Sequence, residues 1–425
     1  MIKTDIGYYK VGDQIFDNKI DAITYAQQNN NEVDWYFFDE IFNKTNWEVE
    51  PESSLPELYR IRAIQIRESY DYIIVFCSGG ADSNNVIRTF LDNNIHVDEV
   101  IGIAPESGLN NWLYNRDNLS EENTISEIKY AMFPLFKEIA SKNPNIKLTI
   151  NDYFEDILKY NSEEWLFDSC GNIVTVLTSQ FTNVTKFKHI DKLIHQGKRI
   201  GLVYGTDKPI IRIDQNEKDL YFILSDSGTN YLNLPSNRKF SNVDRVLFYW
   251  TPNLPDLMVK QAHIVGKLIQ LPEYKYLQNY LKVKYNLATF GNFENFIIKE
   301  LKQNNKLVDK ELILKKYLST YNIDNTSFHF NEKSIYQRSI VPFIYPTTYD
   351  KDLFQCQKVD DKLGLFTKDQ SWLQILHKNS KISEISMQGI KSLYNSISPR
   401  YLNYTGTGLL NKFKSYKFRE LRTDL

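Results

Sequence analysis

The sequence predicts an α/β protein. Its centre should be a Rossmann-like parallel sheet with helices on both faces, preceded by a small β-rich unit and followed by a mainly helical C-terminal region. Three observations predict this. Short apolar runs at Tyr72–Cys77, Asp98–Ala104, Ile146–Ile150 and Arg199–Gly205 alternate with amphipathic stretches. Such alternation is the pattern of parallel strands joined by helical crossovers. The first run leads directly into Ser78-Gly79-Gly80-Ala81-Asp82-Ser83, and a helical pattern follows at Asn84–Leu91. Ahead of residue 54 the pattern is instead that of a hairpin and one short helix.

Taken in order, Gly7–Val11 and Gln14–Phe16 read as two strands around the turn Gly12-Asp13. Asp17 or Asn18 is placed to cap a helix over Lys19–Ala26. Val33–Phe38 alternates partly like a strand. Pro56–Arg67 reads as an amphipathic helix whose Arg60, Arg62 and Arg67 form a solvated face. A helical pattern runs over Ile125–Ala140, with its cap near Ser120 and with Pro134 inside it, where a kink or break is expected. Further helices are expected near Ile173–Ser179 and Phe187–His195. Ile210–Asp214 and Tyr221–Leu224 read as a hairpin. From about Pro255 the pattern is mostly helical. The tail Lys412–Arg419 interleaves basic and aromatic residues, a pattern that suits an edge strand or solvated tail better than a nucleic-acid surface. The expected division is a small α+β unit at 1–54, the nucleotide domain at 55–250 and the helical region at 251–425.

Composition narrows the function classes. The 425 residues suffice for two or three domains. A net charge of −2 gives no global attraction to nucleic acid or to acidic membranes. The three cysteines, Cys77, Cys170 and Cys356, form no CxxC pair, which speaks against a disulfide framework or zinc knuckle and fits a reducing cytoplasm. No apolar segment follows Met1–Asp5, so no signal peptide is expected, and no run reaches the length of a membrane span. The abundance of Asn, Ile, Lys and Tyr reads as the mark of an AT-rich genome.

The chemistry concentrates at residues 78–83. Adjacent glycines let backbone N–H groups approach an anion, and the following helix adds partial positive charge. Ser78 and Ser83 carry hydroxyl protons for phosphate oxygens. Asp82 would repel phosphate unless it orients a magnesium ion or a bridging water. No lysine closes the turn, so this is not the common P-loop.

The string S-G-G-x-D-S resembles the signature of the PP-loop, or N-type, ATP pyrophosphatases, the adenine nucleotide alpha hydrolase superfamily. The resemblance covers residues 55–250 and is specific only at 78–83. It implies a HUP-like fold, ATP and Mg2+ as ligands, and ligase-type chemistry in which ATP is split between its α and β phosphates and AMP passes to a substrate oxygen. It also implies backbone contacts to adenine at the end of the second strand, here Ile103 and Ala104. The sulfur-transfer members carry paired or reactive cysteines that this chain lacks. Ile2 after Met1 speaks against a built-in glutaminase with an N-terminal cysteine. The rest of the chain matches no PP-loop subfamily, and in general look it resembles uncharacterised phage-type members.

A second constellation, Gly205-Thr206-Asp207-Lys208-Pro209, follows the fourth strand. Gly205 permits a tight exit, Asp207 is a second candidate magnesium ligand, and Lys208 is a point charge suited to the departing pyrophosphate. The same residue types also make an ordinary β-turn. Lys260 and His263, three apart on one helix face, are further candidates, and His263 reads equally well as a satisfied surface histidine. Arg212, Arg238 and Arg338 are cations without a motif. The expected function is an adenylate-forming enzyme acting on a small-molecule or nucleoside substrate. Two alternatives stay open: a nucleobase- or nucleic-acid-modifying enzyme, and a nucleotide-binding regulatory module without turnover.

Overall fold

The computed structural model describes residues 5–104, 128–153, 156, 183–206, 210–214, 218–226, 229, 240–274, 278, 340, 343–345, 392, 395–401 and 409–421. The chain opens with β1 (Tyr8–Val11) and β2 (Gln14–Phe16) in an antiparallel hairpin. α1 (Lys19–Gln28) follows, and β3 (Asp34–Tyr36) adds to the free side of β1. Asn18, not Asp17, caps α1: its Oδ1 accepts the Ile20 N–H at 2.7 Å. After α2 (Asp39–Phe42), the Ser54 side chain accepts the Glu57 N–H and opens α3 (Leu55–Ser69), with Pro56 in the first turn where a missing N–H costs nothing.

Five parallel strands form the central sheet of the described residues: β4 (Tyr72–Cys77), β5 (Glu99–Ile103), β6 (Lys147–Asn151), β7 (Ile200–Tyr204) and, further along the chain, β10 (Val243–Leu247). α4 (Ala81–Asp92) lies between β4 and β5 in sequence, α5 (Phe133–Lys142) between β5 and β6, and α6 (Lys188–His195) between β6 and β7. The spatial order is β10-β7-β4-β5-β6, parallel at every pairing. This is a Rossmann-like α/β core. Every residue of β5 and β7 is buried, as in parallel strands covered on both sides, with Glu99 the one charged residue among them. From β4 the chain works outward through β5 to β6, then returns to the far side of β4 for β7 and β10. The order therefore reverses between β4 and β7, and open α/β sheets place ligands outside the carboxyl ends of strands at such a reversal.

Pro134 acts as a break. A π-helical turn at Ile128–Met132 precedes α5, which restarts at Phe133 with Pro134 in its first turn. The expected cap near Ser120 and the expected helix at Ile173–Ser179 lie outside the described residues.

The expected hairpin is present as β8 (Ile210–Ile213) and β9 (Asp219–Ser225). The C-terminal region is helical at α7 (Pro255–Leu268), but its tail is not. Residues of β11 (Phe413–Glu420) return to pair antiparallel with β9, giving a second sheet of order β11-β9-β8. In β11, Tyr416 and Phe418 are buried while Lys417 and Arg419 alternate with them. The cations are spent on carboxylates, Lys414 on Asp39 at 2.6 Å and Lys417 on Asp219 at 2.9 Å. The tail is thus an amphipathic edge strand. The N-terminal unit packs against this second sheet: Trp47 stacks on Tyr416 at 4.6 Å and on Phe222 at 5.2 Å. A buried ion pair between Lys19 and Asp226, at 2.7 Å, reinforces the contact. No helix among the described residues is long and apolar enough to cross a membrane.

One expectation is corrected on α3. Arg62 is not on a solvated face. It is buried, donates to the carbonyls of Leu247 at 2.9 Å and Phe248 at 3.3 Å, and is pushed by burial down to about 10. Arg67 also turns inward and donates to Asp98 at 2.7 Å. The helical period alone fits a solvent face as well, and it is the carbonyls of Leu247 and Phe248, at the end of β10 and just past it, that make burial of Arg62 tolerable. Arg62→Ala is expected to destabilise the protein by about 2–3 kcal/mol, the value of hydrogen bonds to a charged group. Urea unfolding measures it, and a loss near zero would contradict the role.

Candidate functional site

The loop after β4 begins where the apolar strand ends. Gly79 takes φ +88°, a conformation open to glycine and costly to other residues. Gly80 is extended, with φ −75° and ψ 165°, and forms the N-cap of α4 without any capping side chain. The first turn of α4 therefore opens toward the loop with N–H groups that have no acceptor within the helix. The Ser83 hydroxyl staples the loop: it accepts the Ser78 N–H at 3.3 Å and donates to the Gly80 carbonyl at 3.1 Å. The Ser83 hydroxyl is thus engaged inside the loop. Ser78 is exposed, accepts the Gly80 N–H at 3.2 Å, and its hydroxyl lies 3.3 Å from that of Ser83.

β7 ends beside this loop. A Cβ built on Gly205 would stand 2.8 Å from the Asp82 carbonyl oxygen and 3.0 Å from the Ser83 Cα. Gly205 therefore serves the site by closeness: the strand exit lies directly against the first turn of α4, and only a residue without a side chain fits. Gly205, the first residue of the second constellation, thus lies against the first turn of α4 at the reversal of strand order. Thr206, next in the chain, is buried, and its hydroxyl has no hydrogen-bond partner. Asn84, one residue past the staple, is 1% exposed with neither amide atom partnered. Buried polar groups are normally satisfied, and among the described residues neither of these finds a hydrogen-bond partner.

The end of β5 lies at the same sheet edge, next to β4. Ile103 and Ala104 are buried there, and the Ala104 N–H is taken by the Asn151 carbonyl at 3.2 Å.

No protein-family model matches this chain, and no curated protein matches it significantly. The site is therefore read from its own chemistry.

The structure adds residues that no local pattern announced. Asp82 is held at both ends by tyrosines. The Tyr249 hydroxyl donates to the Asp82 carbonyl at 2.8 Å and accepts from the Asn85 amide at 2.9 Å. The Tyr345 hydroxyl donates to the Asp82 carboxylate. The two rings lie 5.5 Å apart. Burial pushes both phenols well above their ordinary range, with the Asp82 charge adding to the effect, so both stay protonated and able to donate. Further along α4, Arg88 reaches Glu138 of α5 at 2.8 Å and draws that carboxyl down to about 2.

Other candidates fall elsewhere. Lys260 donates to the Pro51 carbonyl at 2.8 Å and pairs with Glu50 at 3.0 Å, and His263 is buried against the Trp47 carbonyl at 2.9 Å. Both tie α7 to the N-terminal unit, so neither is a site residue. Burial also lowers the His263 pKa, which suits a neutral structural imidazole. Arg212 sits over the Phe413 ring at 5.0 Å, on the second sheet. Asp207, Lys208, Arg238 and Arg338 lie outside the described residues.

The residues present fit a nucleotide-borne cation better than a protein cage. No group of three or more His, Cys, Asp or Glu side chains among the described residues is placed to hold a metal. Magnesium is commonly held by one or two carboxylates together with substrate phosphates. Asp82, in the first turn of α4, is one carboxylate of that kind.

Proposed function

We propose that the chain binds ATP with magnesium at Ser78–Ser83 and cleaves it between the α and β phosphates, passing AMP to an acceptor oxygen. The observation that carries this reading is the placement of a capless, glycine-led helix start at the strand-order reversal of a parallel sheet, with Gly205 pressed against it. Backbone N–H groups of the loop and the first turn of α4 would receive phosphate oxygens, with Ser78 donating its hydroxyl proton. Ile103 and Ala104 would border the base. Asn84 and Thr206 offer unpartnered polar groups beside the phosphates. Asp82, with Asp207, would hold the cation, which supplies charge neutralisation at the phosphates. Lys208, two residues beyond Thr206, would receive the pyrophosphate. In the step itself, the acceptor oxygen bonds to the α phosphorus, and the bond from that phosphorus to the α–β bridging oxygen breaks, its electron pair leaving with pyrophosphate. Such chemistry is mainly positioning and electrostatics. The HUP-like assignment and the ligase class rest on the S-G-G-x-D-S resemblance together with this placement.

A binding module without turnover is the second reading. One observation favours it: among the described residues of the loop, Asp82 is the single carboxylate, and Tyr345 engages it. One experiment decides between these readings. The protein is incubated with Mg2+ and ATP labelled at the α or the γ phosphate, with carboxylates, amines and nucleosides as acceptors, and the products are separated by chromatography. AMP and pyrophosphate are expected. ADP and phosphate as main products would overturn the proposed cleavage, and tight binding without products would favour the module.

A further inference from the structure

Tyr345 lies 263 residues from Asp82 in the chain, yet its hydroxyl donates to the Asp82 carboxylate. The segment that carries it is firmly seated. Ile340, Ile344 and Tyr345 are all fully buried. The Ile344 carbonyl accepts from the Tyr59 hydroxyl at 2.6 Å, and Tyr59 in turn accepts from the Gln261 amide at 2.7 Å. These bonds tie the segment to α3 and α7, so the phenol is held by elements that do not belong to the loop. A buried phenol that gave up this bond would be left without water to replace it. Tyr249 fixes the Asp82 carbonyl from the adjacent ring. The main chain and the side chain of one acidic residue are thereby fixed separately, far more constraint than a helix start needs for folding.

We propose that Tyr345 is a positioning residue which the C-terminal half of the chain supplies to the site. It sets the orientation in which the Asp82 carboxylate meets a nucleotide-bound divalent cation. The inference rests on the nucleotide reading of residues 78–83. It goes further by making the C-terminal half necessary for metal response rather than for nucleotide capture.

The test uses the full chain and Tyr345→Phe, which keeps the buried ring and removes the hydroxyl. ATP binding is measured by calorimetry in excess EDTA and across a Mg2+ titration. In EDTA the variant is expected to match the wild type within about twofold, whereas the Mg2+ concentration for half-maximal enhancement should rise about tenfold, the loss of roughly one hydrogen bond to a charged group. Tyr249→Phe, which spares the carboxylate bond, should move the Mg2+ response less. Unchanged Mg2+ response in Tyr345→Phe would overturn the proposal, and so would equal loss of affinity with and without metal, the mark of a merely structural role. A second readout needs no nucleotide. Asp82→Asn and Tyr345→Phe are melted singly and together: the double variant should melt no lower than the worse single one, and fully additive shifts would overturn the contact. Absence of ATP binding by the wild type would instead defeat the nucleotide reading itself, a result distinct from a wild type that binds and a Tyr345→Phe that responds to Mg2+ normally.

Discussion

Gly205→Ala is expected to weaken ATP binding about tenfold or more while leaving the fold intact, because one methyl group has nowhere to go. The new carbon would meet the Asp82 carbonyl oxygen at 2.8 Å, its carbon at 2.9 Å and the Ser83 Cα at 3.0 Å. All three are backbone atoms, so no side chain can swing aside. Relief requires moving the end of β7 or the first turn of α4, and overpacking of this kind costs about 1–3 kcal/mol. Either movement displaces the N–H groups that the phosphates would use. Gly201→Ala, earlier on the same strand, is the matched control. Its added carbon meets the Tyr70 ring at 2.7 Å, a side chain that can shift and that lies away from the loop. Both variants should lower the melting temperature, but only Gly205→Ala should lower ATP affinity. Equal affinities in the two variants would show that β7 does not support the cradle.

The contrast between these glycines shows what was legible in the sequence. The parallel strands were visible because buried strands are near-continuous apolar runs, as β4, β7 and, after its buried Glu99, β5 are. The loop was visible because its pattern is local: strand, two glycines and helix are contiguous in the chain. The hairpin of β8 and β9 and the edge strand β11 were visible through their alternation. What could not be read depends on contacts between distant segments. Arg62 obeys a helical period that also fits a solvent face, and its burial follows from carbonyls 185 and 186 residues away. Lys260 and His263 sit on one helix face as expected, but the partner of that face is the 47–51 segment rather than a ligand. Tyr249 and Tyr345 had only a weak signal, the general richness in tyrosine, which composition alone explained equally well. Their contacts come from the chain after β10 and from Tyr345 meeting α4, which no periodicity encodes.

The two glycines of the loop should fail in different ways when each becomes valine. At Gly79 the backbone itself demands glycine: with φ +88°, a β-branched residue is strained by about 1–3 kcal/mol whatever space surrounds it. Gly79→Val is therefore expected to lose stability and, because the turn must open, to lose ATP binding as well. At Gly80 the backbone makes no such demand, since φ −75° and ψ 165° suit any residue. Gly80→Val should cost the fold less than about 1 kcal/mol, the scale of a poorer N-cap. Its isopropyl group would instead stand where phosphate oxygens approach the first turn of α4. ATP affinity is expected to fall by roughly a hundredfold or more, about 3 kcal/mol. Urea unfolding and calorimetry on the same two proteins separate the effects. A loop that merely turns the chain would give the opposite pattern for Gly80→Val, normal stability with unchanged ATP affinity, and that single result would remove the phosphate cradle from residues 78–83.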